Sequence, residues 1–145
     1  MQMYMLFASH MNIGTPEILH FYQQMEAETA AAPDFHGTNI LWVHLLPYYQ
    51  ETLKEYFNLT DDYQIQAIEM NLDYRTPLDT EHPLEALADK MIHNVYNGPY
   101  ARKAKLVSEL AQDLQSDGVI SFCHWGCKQS SGGVMLLLSL IHISE

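Results

Sequence analysis

Two cysteines share the stretch Cys123-His124-Trp125-Gly126-Cys127-Lys128-Gln129, the part of the chain richest in groups that can do chemistry. Cys127 falls between the end of a predicted buried strand and the start of a helix, and Gly126 permits the sharp turn between them. The positive end of a helix dipole favours a thiolate over a thiol, and Lys128 adds a cation beside it. A thiolate serves either an iron–sulfur cluster or a nucleophilic mechanism. A simpler reading also fits: both cysteines are small buried apolar side chains. Cys123, closing an apolar strand, reads as core packing. Cys123, His124 and Cys127 together offer zinc three ligands where a structural site needs four. Their Cys-x-x-x-Cys spacing is not the Cys-x-x-Cys of thioredoxin-like redox sites.

Further chemistry-bearing residues fall in two other loops. Pro47-Tyr48-Tyr49-Gln50 follows one predicted strand, and Glu69, Asn71, Asp73 and Tyr74 follow another. Tyr48, Tyr49, Glu69 and Asn71 are the candidates for a substrate pocket. Neither Gly-x-x-x-x-Gly-Lys-Ser/Thr nor Gly-x-Gly-x-x-Gly occurs, so ATP or a dinucleotide is not expected to bind here. No HExxH pairing of histidines exists. His44, inside a predicted strand, reads as a hydrogen-bonded core residue, and Arg102, Lys103 and Lys105 read as a solvated helix face.

The elements that must position these residues alternate along the chain. Thr15 as N-cap and Pro16 in the first turn open a helix carrying Ile18, Leu19, Tyr22 and Met25, which Pro33 ends. Ile40–Leu45 is a near-continuous apolar run, suited to a strand buried on both faces. Gln50–Phe57 reads as a helix, and Tyr63–Met70 as a strand interrupted by Gln64, Gln66 and Glu69. Thr80–Tyr96 places Leu84, Leu87, Ala88 and Met91 on one helical face, and Pro99–Gln115 does the same with Leu106, Val107, Leu110, Ala111 and Leu114. Gly118–Cys123 is a third strand, and a helix covers Lys128–Leu138. The order α-β-α-β-α-α-β-α predicts an α/β, Rossmann-like three-layer domain with a mostly parallel sheet, truncated at the carboxyl end. The expected division is an N-terminal helical segment over 1–33, the lobe over 34–138, and a non-native tail over 139–145 resembling a translated sequencing adapter.

Composition limits the function classes. The 145 residues are 48% hydrophobic and 17% charged, enough for one domain with its own core. The net charge is −11, with one Lys and nine acids in residues 1–72 and six basic residues and nine acids in residues 73–145. No basic stripe is available for phosphates, so neither nucleic acid nor an anionic membrane surface is an expected partner. Two cysteines do not make a disulfide scaffold. The apolar opening lacks a cationic start and a cleavage site, and Val134–Leu138 is far short of the ~20 residues of a membrane span. The expected setting is the reducing cytoplasm.

The segment Asp117–Gln129, with its His-Trp-Gly-Cys-Lys-Gln ending, resembles the smaller subunits of the D-component family of 2-hydroxyacyl-CoA dehydratases and benzoyl-CoA reductases. Leu41-Trp42-Val43-His44 with Pro47-Tyr48-Tyr49 agrees, as do Glu69-Met70-Asn71 followed by Pro77-Leu78-Asp79, and Tyr96-Asn97-Gly98-Pro99. The similarity spans about Pro16 to Leu136. It implies two Rossmann-like lobes holding a 4Fe-4S cluster between them, with this chain as the carboxyl-terminal lobe. Cys127 matches the cluster-ligating cysteine, whereas Cys123 is not carried over. His124, Trp125, Gly126, Lys128 and Gln129 then surround the ligand. From their closeness in sequence, Lys128 and nearby backbone N–H groups are expected to raise the potential, and Trp125 and Phe122 to restrict water.

The resemblance also implies partners and a reaction. A homologous larger subunit completes the enzyme, and an ATP-dependent activator supplies a low-potential electron. An acyl-CoA substrate loses its 2-hydroxyl as water by way of a ketyl radical, giving an enoyl-CoA. A benzoyl-CoA reductase-type subunit, a non-catalytic iron–sulfur electron carrier of the same fold, and a thiol enzyme using Cys127 with His124 as base are the alternatives.

Overall fold

A computed structural model describes residues 14–47, 50–58, 60–74 and 76–143. The chain divides into two units, the second beginning at Thr38. The first carries helix α1 (Pro16–Ala30). Thr15 caps it, its hydroxyl oxygen accepting the Ile18 N–H at 3.4 Å, and Pro16 occupies the first turn where no N–H is needed. None of its residues is fully buried.

The second unit is α/β. Its elements are β1 (Thr38–Val43), α2 (Glu51–Asn58), β2 (Tyr63–Ile68), a 3-10 helix (Glu69–Tyr74), α3 (Pro83–Ile92), α4 (Tyr100–Asp113), β3 (Gly118–Ser121), α5 (Lys128–Ser131) and α6 (Val134–Ile143). The sheet is fully parallel in the order β2-β1-β3. Central β1 buries Ile40, Leu41, Trp42 and Val43 because helices cover both faces. Leu41 and Val43 pack with Ala104, Val107 and Leu110 of α4 and Leu137 of α6. Trp42 faces the other way, with Ile65, Ile68, Ile120 and Phe122 and with Leu53 and Phe57 of α2. The handedness of parallel crossovers explains the split: β1 to β2 runs one way across the sheet, β2 to β3 the other, so their helices fall on opposite faces.

The polar residues of β2 have specific partners. The register slips between Ile40 and Leu41, pairing Ile40 with Ile65 but Leu41 with Ala67, which leaves Gln66 as the extra residue. The bulge changes parity, so Ile65 and Ile68 share a face. Gln66 reaches α4's end, its Nε2 donating to the Leu114 carbonyl at 2.9 Å and its Oε1 accepting from Ser116 at 3.0 Å. Gln64 donates to Asn39 Oδ1 at 2.6 Å.

Three expectations need correction. The predicted helix from Lys128 to Leu138 is broken at Gly132-Gly133, since a β-carbon on Gly133 would stand 2.1 Å from the Tyr100 ring. Helix α3 ends at Ile92, short of Tyr96, because Arg102 draws the carbonyls of His93, Asn94 and Asn97 into a turn. Its apolar residues also fail to reach the core: Leu84 is 78% and Met91 71% exposed. Among the described residues, no helix is long and apolar enough to cross a membrane.

Candidate functional site

The strand order determines where loops converge. β1 sends its chain to α2 on one face, whereas neighbouring β3 sends its chain towards α6 on the other. A crevice opens between such strands at their carboxyl ends, the usual ligand position in open parallel sheets. The Cys127 turn leaves β3 at this point. The N–H of Phe122 donates to the Val43 carbonyl at 3.0 Å, fastening the two exits together.

Beneath the turn lies a buried polar network. Glu69, with no exposed surface, accepts the His44 backbone N–H at 2.8 Å through Oε2. Its Oε1 accepts the Tyr96 hydroxyl at 2.8 Å and faces Lys103 Nζ at 2.6 Å. The Lys103 contact is an ion pair without the direction of a hydrogen bond. Lys103, 3% exposed, also lies 4.5 Å above the Tyr96 ring. One carboxylate thereby joins β1, the segment after β2, the turn before α4, and α4 itself.

Lys103 is therefore no part of a solvated face. It lies one helical turn before Val107 and two before Leu110, on the inward stripe of α4. Only Lys105 is solvated, near Glu109 at 3.6 Å, while Arg102 is committed to carbonyls. His44 also departs from expectation. It follows β1 with φ of 75°, and neither ring nitrogen has a hydrogen-bond partner among the described residues. Burial, then Lys103, holds its pKa below 6.5, with Glu69 acting the other way and His124 adding to the depression.

The turn itself is stapled by Ser130, which is buried. Its hydroxyl oxygen accepts the His124 N–H at 3.0 Å, and its O–H is within 2.9 Å of the His124 carbonyl and 3.1 Å of the Cys127 carbonyl. The Cys127 N–H donates to the His124 carbonyl at 2.9 Å. Cys127 then caps α5 with extended backbone and a partly exposed side chain. Its thiol pKa is held below the usual 9.0, chiefly by the Ser130 backbone N–H. Desolvation opposes this, and the Gln129 N–H, the Ser130 hydroxyl and the Lys103 charge assist it. These dipoles act without a formal capping hydrogen bond to the sulfur. The cation acting on Cys127 is buried Lys103, while the adjacent Lys128 is exposed.

The remaining sequence candidates scatter around this point. Cys123 is exposed rather than in the core because β3 ends two residues earlier, and its sulfur lies 3.6 Å from the Ser130 carbonyl. Trp125 is 95% exposed, whereas Phe122 stacks on Trp42. His124 is exposed, and its ring makes no hydrogen bond to Cys127. Gly126 lies under the His124 ring, where a β-carbon would be 3.2 Å from Cε1. Gln129 reaches the Tyr96 carbonyl at 3.4 Å. Glu69 is sealed inside and Asn71 is half-buried, whereas Tyr48 and Tyr49 lie outside the described residues. A cleft of about 670 Å³, lined by Leu78, Asp79, Asp89, His93, Arg102 and Leu106 among others, shares no residue with the turn.

Sequence reasoning missed Lys103, Ser130 and Tyr96 as parts of the site. Periodicity carries a signal for Lys103 alone. Among the described residues, no three His, Cys, Asp or Glu side chains gather as a metal site. No curated protein and no solved structure matches the chain. Residues 1–143 match the family model described as 2-hydroxyglutaryl-CoA dehydratase, D-component, and the chain belongs to that family.

Proposed function

We propose that the chain is a lobe of an iron–sulfur 2-hydroxyacyl-CoA dehydratase subunit, and that Cys127 supplies one thiolate to a 4Fe-4S cluster shared with another lobe. The observation carrying this is the position of Cys127: a partly exposed sulfur with a depressed pKa, on a stapled corner at the carboxyl edge of the sheet. The donor set fits one corner of a cluster and not a whole one, since no three His, Cys, Asp or Glu side chains gather as a ligand set among the described residues. When bound, such a cluster stores and transfers single electrons at low potential.

The chain's own residues have definable tasks in this reading. Ser130 holds the corner, and Lys103 favours the thiolate. The 95% exposure of Trp125 beside Cys127 suits a surface that another lobe covers. The absence of a phosphate loop agrees with ATP hydrolysis in a separate activator. The proposed partners are a larger homologous subunit, that activator and an acyl-CoA. The His124 ring makes no hydrogen bond to the Cys127 sulfur, which disfavours the thiol-enzyme alternative.

Anaerobic purification of the natural gene product with its partner subunit tests the reading. A brown protein is expected, with the thiolate-to-iron absorption diminished by Cys127→Ala and kept by Cys123→Ala. A colourless protein whose Cys127 reacts stoichiometrically with iodoacetamide at neutral pH would sink it.

A further inference from the structure

A second cleft, of about 390 Å³, is lined by Pro47, Gln50, Thr52, Leu53 and Phe122. It lies where β1 leaves for α2 and β3 leaves for the Cys127 turn, the position at which open parallel sheets take ligands. Small-molecule sites run from roughly 300 to 1,000 Å³, so this one suits a side group rather than a whole cofactor. Behind it, the Phe122 ring stacks on Trp42 at 6.4 Å, and Phe57 meets Trp42 edge-on at 5.8 Å. Trp42 Nε1 donates to the Leu45 carbonyl at 2.9 Å, which fixes the indole and with it the wall.

Phe122 ties this cleft to the turn. Its N–H donates to Val43 at 3.0 Å, and two residues later the His124 carbonyl accepts the Cys127 N–H at 2.9 Å. Two extended residues span about 7 Å at most, so the α-carbons of Phe122 and Cys127 are within about 14 Å. A thioester beside a group held on Cys127 therefore has the cleft within reach of its side chain.

The charge of the lining selects that side chain. None of the five residues is charged. Nearby Lys54 is engaged by Glu51 at 2.7 Å, and Glu51 already places a carboxylate in the first turn of α2. A further carboxylate would lose its hydration here without gaining a cation. Leu53 and Phe122, both half-buried, offer apolar surface instead, with exposed Gln50 and Thr52 beside them.

We propose that this cleft receives the acyl side chain of the substrate, that Leu53 and Phe122 set its fit, and that the side chain is uncharged and apolar. The inference rests on the acyl-CoA dehydratase reading. It departs from the dicarboxylic thioester for which the family is named.

The test uses the anaerobic complex with its activator, ATP and a reductant. It compares 2-hydroxypentanoyl-CoA with 2-hydroxyglutaryl-CoA, the same chain ended by a methyl group or by a carboxylate. Wild-type kcat/KM should be about tenfold or more higher for the methyl-ended thioester. Gln50→Arg, which sets a cation beside the cleft, should lower that ratio about threefold, the scale of an exposed ion pair. Leu53→Ala, which removes apolar wall, should lower kcat/KM for 2-hydroxypentanoyl-CoA about tenfold and change 2-hydroxyglutaryl-CoA far less. Equal use of the two thioesters, a preference for 2-hydroxyglutaryl-CoA, or a ratio that Gln50→Arg or Leu53→Ala leaves unchanged overturns the proposal while the dehydratase reading stands. A wild-type complex that turns over neither thioester overturns both. Should Leu53→Ala fail to fold, Gln50→Arg, at an exposed position, decides alone.

Discussion

Lys103→Met is the most informative single change outside the turn. It removes the cation from Glu69, a carboxylate with no exposed surface, and leaves it only the Tyr96 hydroxyl and the His44 N–H. An uncompensated buried charge of this kind costs about 3–5 kcal/mol, which for a domain of this size lowers the melting temperature by on the order of 10 °C. Glu69→Gln should cost a comparable amount, because it strands Lys103 instead. The double variant should cost clearly less than the sum, since no charge is then left unpaired. Urea unfolding of the four proteins gives the cycle. Lys103→Met should also raise the Cys127 thiol pKa, read as a shift of the iodoacetamide rate profile to higher pH. A Lys103→Met protein within about 1 kcal/mol of wild type, or additive single variants, would refute the claim that the network is one buried unit.

Other changes follow from the same geometry. Ser130→Ala should cost about 1–3 kcal/mol, because the His124 N–H loses its acceptor while the His124 and Cys127 carbonyls keep other donors, and it should raise the Cys127 pKa in the alkylation profile. His44 has a folded pKa below its unfolded 6.5, so the unfolded state binds more protons below that pH. Its contribution is fully present above pH 6.5 and lost as pH falls through the folded value; unfolding titrations of His44→Leu should lack this slope. Gly133→Ala should destabilise by about 1–3 kcal/mol, since its methyl would enter the Tyr100 ring, and calorimetry reads the loss.

Much of the fold is legible because burial leaves a period in the sequence. Ile40–Val43 announces a strand covered on both faces, and Thr15-Pro16 carries both signals of a helix start. The strand-helix alternation leads to the parallel sheet, and the sheet leads to the crevice where the Cys127 turn lies. The helical spacing of Leu84 and Met91 is equally clear, yet the stripe is solvated, because periodicity shows that one face is apolar and not what covers it. Gln66 looks like an interruption of β2, since a bulge depends on the partner strand's register. Lys103 shares the inward face of α4 with Val107 and Leu110, but a charge is assigned to solvent by default until its counter-ion is seen. Glu69 is 34 positions from Lys103, so no local pattern joins them. The orphaned ring of His44 depends on a single left-handed residue, which sequence does not mark.

The central claim is that the Cys127 sulfur is an iron ligand. Chemical determination of iron and acid-labile sulfide in the anaerobic complex, beside its Cys127→Ser and Cys123→Ser variants, addresses it most directly. The account predicts that the Cys127 change depletes iron and sulfide together and that the Cys123 change leaves both in place. Equal iron and sulfide in all three proteins would contradict it.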